Sequence, residues 1–199
     1  MIDRAFFERP ALEAAPELLG TIFRHRTDEG TVAVRITEVE AYVGQGIDPG
    51  SHAFRGKTKR NASMFGEPGH LYCYFTYGMH VCANMVCSPN GEASGILIRA
   101  GEVVEGIELA RARRTTSRSD KDLAQGPARL TVALGIALTD DGSDLFLPPF
   151  SLEAGDQAAE VLTGPRTGLG GPGGGAEFPW RFWIPGEPTV SPYKKHPKA

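Results

Sequence analysis

Residues 31 to 42 read Thr-Val-Ala-Val-Arg-Ile-Thr-Glu-Val-Glu-Ala-Tyr and follow the turn Thr27-Asp28-Glu29-Gly30, the pattern of a strand leaving a hairpin. Alternate residues of a strand share a face, so Val32, Val34, Ile36, Glu38, Glu40 and Tyr42 are expected together. On this reading an apolar core face turns into two carboxylates and a phenol with no change of register. An unpaired carboxylate in the interior is costly unless a partner or a raised pKa relieves it. The segment alone leaves two explanations open: an ion pair with an arginine such as Arg99, or a group held in place for chemistry.

Other features bound the answer more loosely. With 199 residues, 41% of them hydrophobic, one core and one domain are expected. No stretch reads as a membrane span or a secretory leader, so a cytoplasmic protein is expected. Cys73, Cys82 and Cys87 lack the Cys-x2-Cys spacing of a zinc site and read as reduced, buried thiols. The net charge of −3 argues against indiscriminate binding to polyanions. Three basic groups stand out all the same: Arg55, Lys57, Lys59 and Arg60; Arg111, Arg113, Arg114 and Arg118; and Lys194, Lys195 and Lys198. Segregation of that kind is what a phosphate-tracking surface needs.

Along the chain, residues 10 to 19 look helical, with Pro16 as a kink and Gly20 as the stop. Strands are expected at 21–26, 31–42, 70–76, 80–86 and 94–100, with a polar, glycine-containing loop over 43–62. Helices are expected at about 104–114 and 127–134, with shorter strands beyond. Residues 168 to 175 contain a literal GxGxxG string, but Pro172 and the extra glycines deny it the helix a dinucleotide site requires. The expected fold is α+β: a single mixed domain over residues 1–185 with a curved, mainly antiparallel sheet and hairpins flanked by helices. A flexible glycine-rich loop at 168–176 and a basic C-terminal tail at 186–199 complete it.

The hairpin Leu71-Tyr72-Cys73-Tyr74-Phe75-Thr76-Tyr77-Gly78-Met79 carries aromatics on both faces. Core packing explains Tyr72 and Phe75. Tyr77 sits at the tip, where Asn, Asp or Gly is usual, and offers an apolar wedge of the kind that unstacks base steps. Tyr74 shares a face with Tyr72 and Thr76 and would stand opposite Tyr42, two rings forming a slot for a flat ligand. Asn84, within the apolar run from Val81 to Val86, brings an amide able to read a base edge. Arg99 in Ile96-Leu97-Ile98-Arg99-Ala100 needs an anionic partner if buried. His52 carries little meaning by itself.

Taken together, Ile-Thr-Glu-Val-Glu-Ala-Tyr at 36–42, His52, Arg60-Asn61 with Met64-Phe65, Gly69 to Asn84, Leu97-Ile98-Arg99-Ala100 and Gly126-Pro127 resemble the alkyladenine, or 3-methyladenine, DNA glycosylase family. The likeness runs from about Phe6 to Phe182. It implies a monofunctional enzyme, acting as a monomer on double-stranded DNA, that flips a damaged purine out of the duplex and hydrolyses its N-glycosidic bond with the hairpin tip inserted into the DNA. By matching motif positions, Glu40 would activate the water and Arg99 would help position it. Tyr42, Tyr74 and His52 would hold the extruded base, Asn84 would restrict which purines fit, and Tyr77 would fill the vacated stack. No metal or cofactor is implied, and the resemblance gives Glu38 no catalytic role. Arg166-Thr167-Gly168-Leu169-Gly170 resembles a pocket-edge segment, with Thr167 where an aliphatic residue is common; its role stays open.

The chemistry agrees with those residue types. Breaking a purine N-glycosidic bond develops oxocarbenium character on the sugar, which a carboxylate stabilises while deprotonating water. Alkylated bases carry positive charge and are attracted to electron-rich rings. Two rivals are a non-catalytic damaged-DNA-binding protein of the same fold and a glycoside hydrolase using Glu38 and Glu40 as its carboxylate pair.

Overall fold

The computed structural model describes residues 2–76 and 78–198. Its elements run α1 (Arg4–Phe7), α2 (Ala11–Glu17), β1 (Ile22–Thr27), β2 (Gly30–Tyr42), β3 (Leu71–Thr76), β4 (His80–Cys87), β5 (Ser94–Glu105), α3 (Ile107–Arg113), α4 (Pro127–Leu134), β6 (Phe150–Glu153), β7 (Leu162–Gly164) and β8 (Arg181–Trp183). These strands form one curled antiparallel sheet in the order β3-β4-β5-β2-β1-β6. The long β2 is its spine: β5 lies along one edge, while β1 and then β8, which also pairs with β7, share the other. A single α+β domain results, with α2 packed on β2 and α4 on β4 and β5.

The helices end where backbone chemistry ends them. Pro16 falls in the last turn of α2, and Gly20 at φ +88° turns the chain into β1. Proline at the first position of α4 and Gly135 in the left-handed region after its last follow the usual asymmetry of helix ends. The strand expected to stop at Ala100 continues to Glu105, because Glu102 and Val103 still find partners in Arg35 and Val34. The following helix therefore begins only at Ile107. Gly106 makes the corner at φ +71°, where a Cβ would lie 2.0 Å from the Thr31 carbonyl oxygen.

The structure also corrects the register of β2. Val32, Val34 and Ile36 lie in the core, but so do Val39 and Ala41, so the core face passes from even to odd positions. The opposite face shows the same switch: the C-terminal segment meets Arg35 through Glu187, Thr37 through Thr189 and Glu38 through Ser191. The crossing point is a bulge in the β2–β5 ladder, with shifts on both sides of Glu38 as Ile36 faces Gly101, Glu38 faces Ala100 and Val39 faces Ile98. Bulges locally twist a strand and re-aim its side chains. Glu38, Glu40 and Tyr42 thus share a face with one another, but not with the valines that precede them.

Candidate active site

Beyond the bulge, Glu38 and Glu40 are both fully buried, and the arginine between them decides their roles. Arg99 Nε lies 3.0 Å from Glu38 Oε1, and its Nη1 lies 3.3 Å from Glu40 Oε1. Glu38 also accepts from Arg181 Nε at 2.6 Å, Ser191 N at 2.7 Å and Ser191 Oγ at 3.0 Å. That carboxylate is enclosed and saturated. Glu40 accepts from Tyr42 OH at 2.8 Å and from Thr167 N at 2.6 Å, and lines an open cleft of about 330 Å³ with Arg99, Leu97, Cys82 and Pro127. Both carboxylates therefore pair with Arg99, but Glu38 is enclosed in an ion-pair cluster whereas Glu40 lines the open cleft. Burial disfavours the charge on Arg99, but Glu40 and Glu38 outweigh it and raise the pKa, so the guanidinium stays cationic.

Sharing a wall with this cleft is a smaller recess of about 70 Å³ bounded by Tyr42, His52, Met64, Tyr72, Tyr74 and Asn84. The rings of Tyr72 and Tyr74 stack at 5.5 Å and 27°, and His52 meets Tyr74 edge-on at 4.5 Å. His52 Nδ1 lies 3.0 Å from Tyr72 OH, and Asn84 Nδ2 donates to the Tyr72 carbonyl at 3.1 Å. Tyr42, His52, Tyr74 and Asn84 are thus brought together as expected, beside Glu40 and Arg99. Tyr72, which β-propensity and packing had explained, is a further wall of the recess. Phe75 is 47% exposed rather than packed, as is Met79 at 71%. The wedge expected at Tyr77 lies outside the described residues.

The recess is aromatic and uncharged at neutral pH. Burial and the neighbouring Glu40 push Tyr42 well above the ordinary phenol value, burial lifts Tyr72 to about 12, and burial raises Tyr74 too. Burial, helped by Arg60, moves His52 below the ordinary imidazole value. Neutral tyrosines donate hydrogen bonds and keep electron-rich faces, which suits a flat cationic ligand.

Several groups that hold the site were not foreseen. Arg166 and Asp48 form a fully buried bidentate pair, both contacts at 2.6 Å. The same guanidinium donates to the carbonyls of Ala41 at 3.0 Å and Gly173 at 2.8 Å and lies 4.5 Å beneath the Tyr42 ring. One side chain therefore joins β2, the loop that carries His52 and the glycine-rich segment. Gly50 passes so close that a Cβ there would meet Arg166 at 2.7 Å. In the glycine-rich segment Gly173 and Gly174 are buried, and Gly168 N donates to the Lys194 carbonyl at 2.8 Å. Within residues 186–198, Thr189 and Ser191 are interior, while Lys194, Lys195 and Lys198 are exposed, as is Tyr193. Asn61 fastens the His52 loop, donating to the carbonyls of His52 and Gly56. Of the basic groups, Arg111 and Arg113 are committed to Asp120 and Glu29, whereas Arg55, Lys57, Lys59 and Arg60 are exposed, and Arg60 lies 5.9 Å from the centre of the Tyr74 ring.

A carboxylate and an arginine are thus buried beside an aromatic recess on an antiparallel α+β scaffold. Residues 5–188 match the family described as methylpurine-DNA glycosylase, and the chain belongs to that family. A protein of Leifsonia xyli subsp. xyli is 63% identical over 200 residues, covering 98% of this chain and 94% of its own. Proteins of Streptomyces avermitilis and Nocardia farcinica are 54% and 50% identical, covering 98% and 94% of this chain and 92% and 88% of theirs. All three bear the name "Putative 3-methyladenine DNA glycosylase".

Proposed function

We propose that this protein is a monofunctional DNA repair glycosylase that binds duplex DNA, takes an alkylated or deaminated purine into the recess and hydrolyses its N-glycosidic bond. The observation that carries the reading is the position of Glu40: buried, held by Tyr42, Thr167 and Arg99, and open toward the space beside the stacked tyrosines. As the purine leaves with the electron pair of the bond to C1′, positive charge develops on the sugar, and the proposed role of the Glu40 carboxylate is to stabilise that charge. Water attacks C1′ and passes its proton to Glu40, leaving an abasic site. Arg99, kept cationic by the two carboxylates, orients the water and offsets the charge of Glu40.

The recess selects by ring and charge. A methylated purine cation gains about 0.5–2 kcal/mol against a tyrosine face. Its weakened pairing also lowers the flipping cost, which is a few kcal/mol. The supporting experiment is single-turnover base release from a duplex carrying one 3-methyladenine or hypoxanthine. Glu40→Gln, which keeps the shape and loses the base, should release no purine above background while binding the lesion duplex nearly as tightly. A variant retaining most of the activity would refute the role of Glu40, and a wild-type protein that binds without releasing base would favour a damage-binding protein.

A further inference from the structure

The proposed hydrolysis gives no role to the lysines of the C-terminal segment, yet the structure builds that segment onto the wall of the cleft. Its root is fixed: Thr189 bonds Thr37, Ser191 N donates to Glu38, and the Gln125 side chain donates to the carbonyls of Pro188 and Val190. Beyond Ser191, two backbone bonds lace it to the glycine-rich segment. Gly168 N donates to the Lys194 carbonyl and Gly171 N to the Lys198 carbonyl, both at 2.8 Å. The close approach requires glycine. Gly168 and Gly171 take φ +69° and +76°, and a Cβ on Gly170 would lie 2.9 Å from the His196 ring. Gly168 and Leu169 line the cleft together with Glu40 and Arg99, so the lysine-bearing chain is bonded directly to a residue of the cleft wall. Lys194, Lys195 and Lys198 are all exposed, and among the described residues none of them joins an ion pair. Neither residues 161–176 nor 188–198 contain an Asp or Glu that could offset them.

We infer that the C-terminal segment is a phosphate-binding surface, on which Lys194, Lys195 and Lys198 hold the DNA backbone beside the nucleotide whose base enters the recess; the inference rests on the reading above that the protein acts on duplex DNA. A lysine ammonium binds phosphate as a point charge, and each phosphate it neutralises releases condensed counterions from the duplex. That contribution depends on salt but not on base sequence or on the lesion. It also positions. Because main-chain bonds tie the segment to Gly168 and Gly171, phosphates held by the lysines are held at a fixed offset from the cleft wall. The glycine-rich segment thereby gains a structural reason: it is the surface on which the lysine-bearing chain is seated.

The test uses the full chain in three forms: wild type, a neutral variant carrying Lys194→Gln, Lys195→Gln and Lys198→Gln, and a charged variant with the same three lysines changed to Arg. All keep the backbone bonds to Gly168 and Gly171. Affinity for a duplex with one hypoxanthine and for the undamaged duplex of the same sequence is measured from about 50 to 200 mM salt, alongside single-turnover base release at saturating protein. The neutral variant should bind both duplexes about tenfold or more weakly, and the slope of log K against log salt should fall by about 2–3. Its rate of base release at saturation should equal that of wild type. The charged variant should match wild type throughout. An unchanged salt slope in the neutral variant would overturn the inference alone, as would a loss of affinity shared by the charged variant or confined to the lesion duplex. Failure of wild type to bind either duplex would instead remove the glycosylase reading and this surface with it.

Discussion

Arg166→Met should destabilise the protein more than any substitution in the recess. The arginine side chain is wholly enclosed, and its removal strands the equally enclosed Asp48, which keeps only the N–H groups of Val43 and Gly50 as partners. Removing one member of such a pair costs about 3–5 kcal/mol, the larger part being the uncompensated charge left behind. The carbonyls of Ala41 and Gly173 lose donors as well. For a chain of this length each kcal/mol lowers Tm by about 2–4 °C, so a fall of roughly 6–20 °C is expected. Urea unfolding of wild type, Arg166→Met, Asp48→Leu and the double variant closes the cycle. The double variant should be more stable than the sum of the single losses implies, because it leaves no charge stranded. Well below the variant's Tm, base release should also slow, since Arg166 fixes the chain that presents Thr167 N–H to Glu40. A loss under about 1 kcal/mol, or strictly additive single losses, would refute the view that this pair braces the site.

Tyr42→Phe keeps the ring over Arg166 and removes the hydroxyl that donates to Glu40 at 2.8 Å. A hydrogen bond to a charged group contributes about 1.5–3 kcal/mol, so single-turnover release should fall roughly 10- to 100-fold with lesion affinity little changed; equal losses in rate and affinity would contradict this. Stability should also decline in mild acid. His25 is buried with Nδ1 2.9 Å from the Leu134 carbonyl oxygen, and burial lowers its pKa below the ordinary imidazole value of about 6.5. Between the depressed folded value and the unfolded one, the unfolded chain binds the extra proton, so stability is complete above about pH 6.5 and is lost as pH falls below it. Urea unfolding at pH 7.5 and 5.5 should show that decline, and His25→Gln should flatten it; an equal slope in the variant would exclude His25 as its source.

Local pattern made much of this molecule legible. Both hairpins and the helix at Pro127 follow from alternation and turn residues, whereas the constellation of Glu40, Tyr42, His52, Tyr74, Asn84 and Arg99 was assembled from motifs that resemble the family's. The long-range ion pairs are different. Asp48 and Arg166 lie in irregular segments where no periodicity marks a buried side, and their pairing exists only once the sheet has closed. Arg181 did carry a signal, since a lone guanidinium in Trp180-Arg181-Phe182-Trp183 poses the same question as Arg99 in its apolar strand. Tyr72 was read as packing because β-propensity explains a strand tyrosine completely, and it is the closed sheet that sets it against Tyr74 and His52 at the wall of the recess.

The bulge at Glu38 is what the alternation rule could not contain, and it explains why two carboxylates sit on this strand at all. Without it, Glu38 and Glu40 would continue the core face of Val32, Val34 and Ile36 and meet only apolar neighbours. With it they turn to the face where Arg99, Arg181 and the Ser191 segment lie, so that two carboxylates meet two guanidinium groups and the buried cluster is neutral. Arg181 is the partner that leaves Arg99 available to Glu40. By holding Glu38 at 2.6 Å it supplies the countercharge that Glu38 would otherwise draw wholly from Arg99, and leaves Arg99 Nη1 directed toward Glu40 and the cleft. The enclosed carboxylate thus sets the geometry of the one that lines the cleft, through an arginine shared between them.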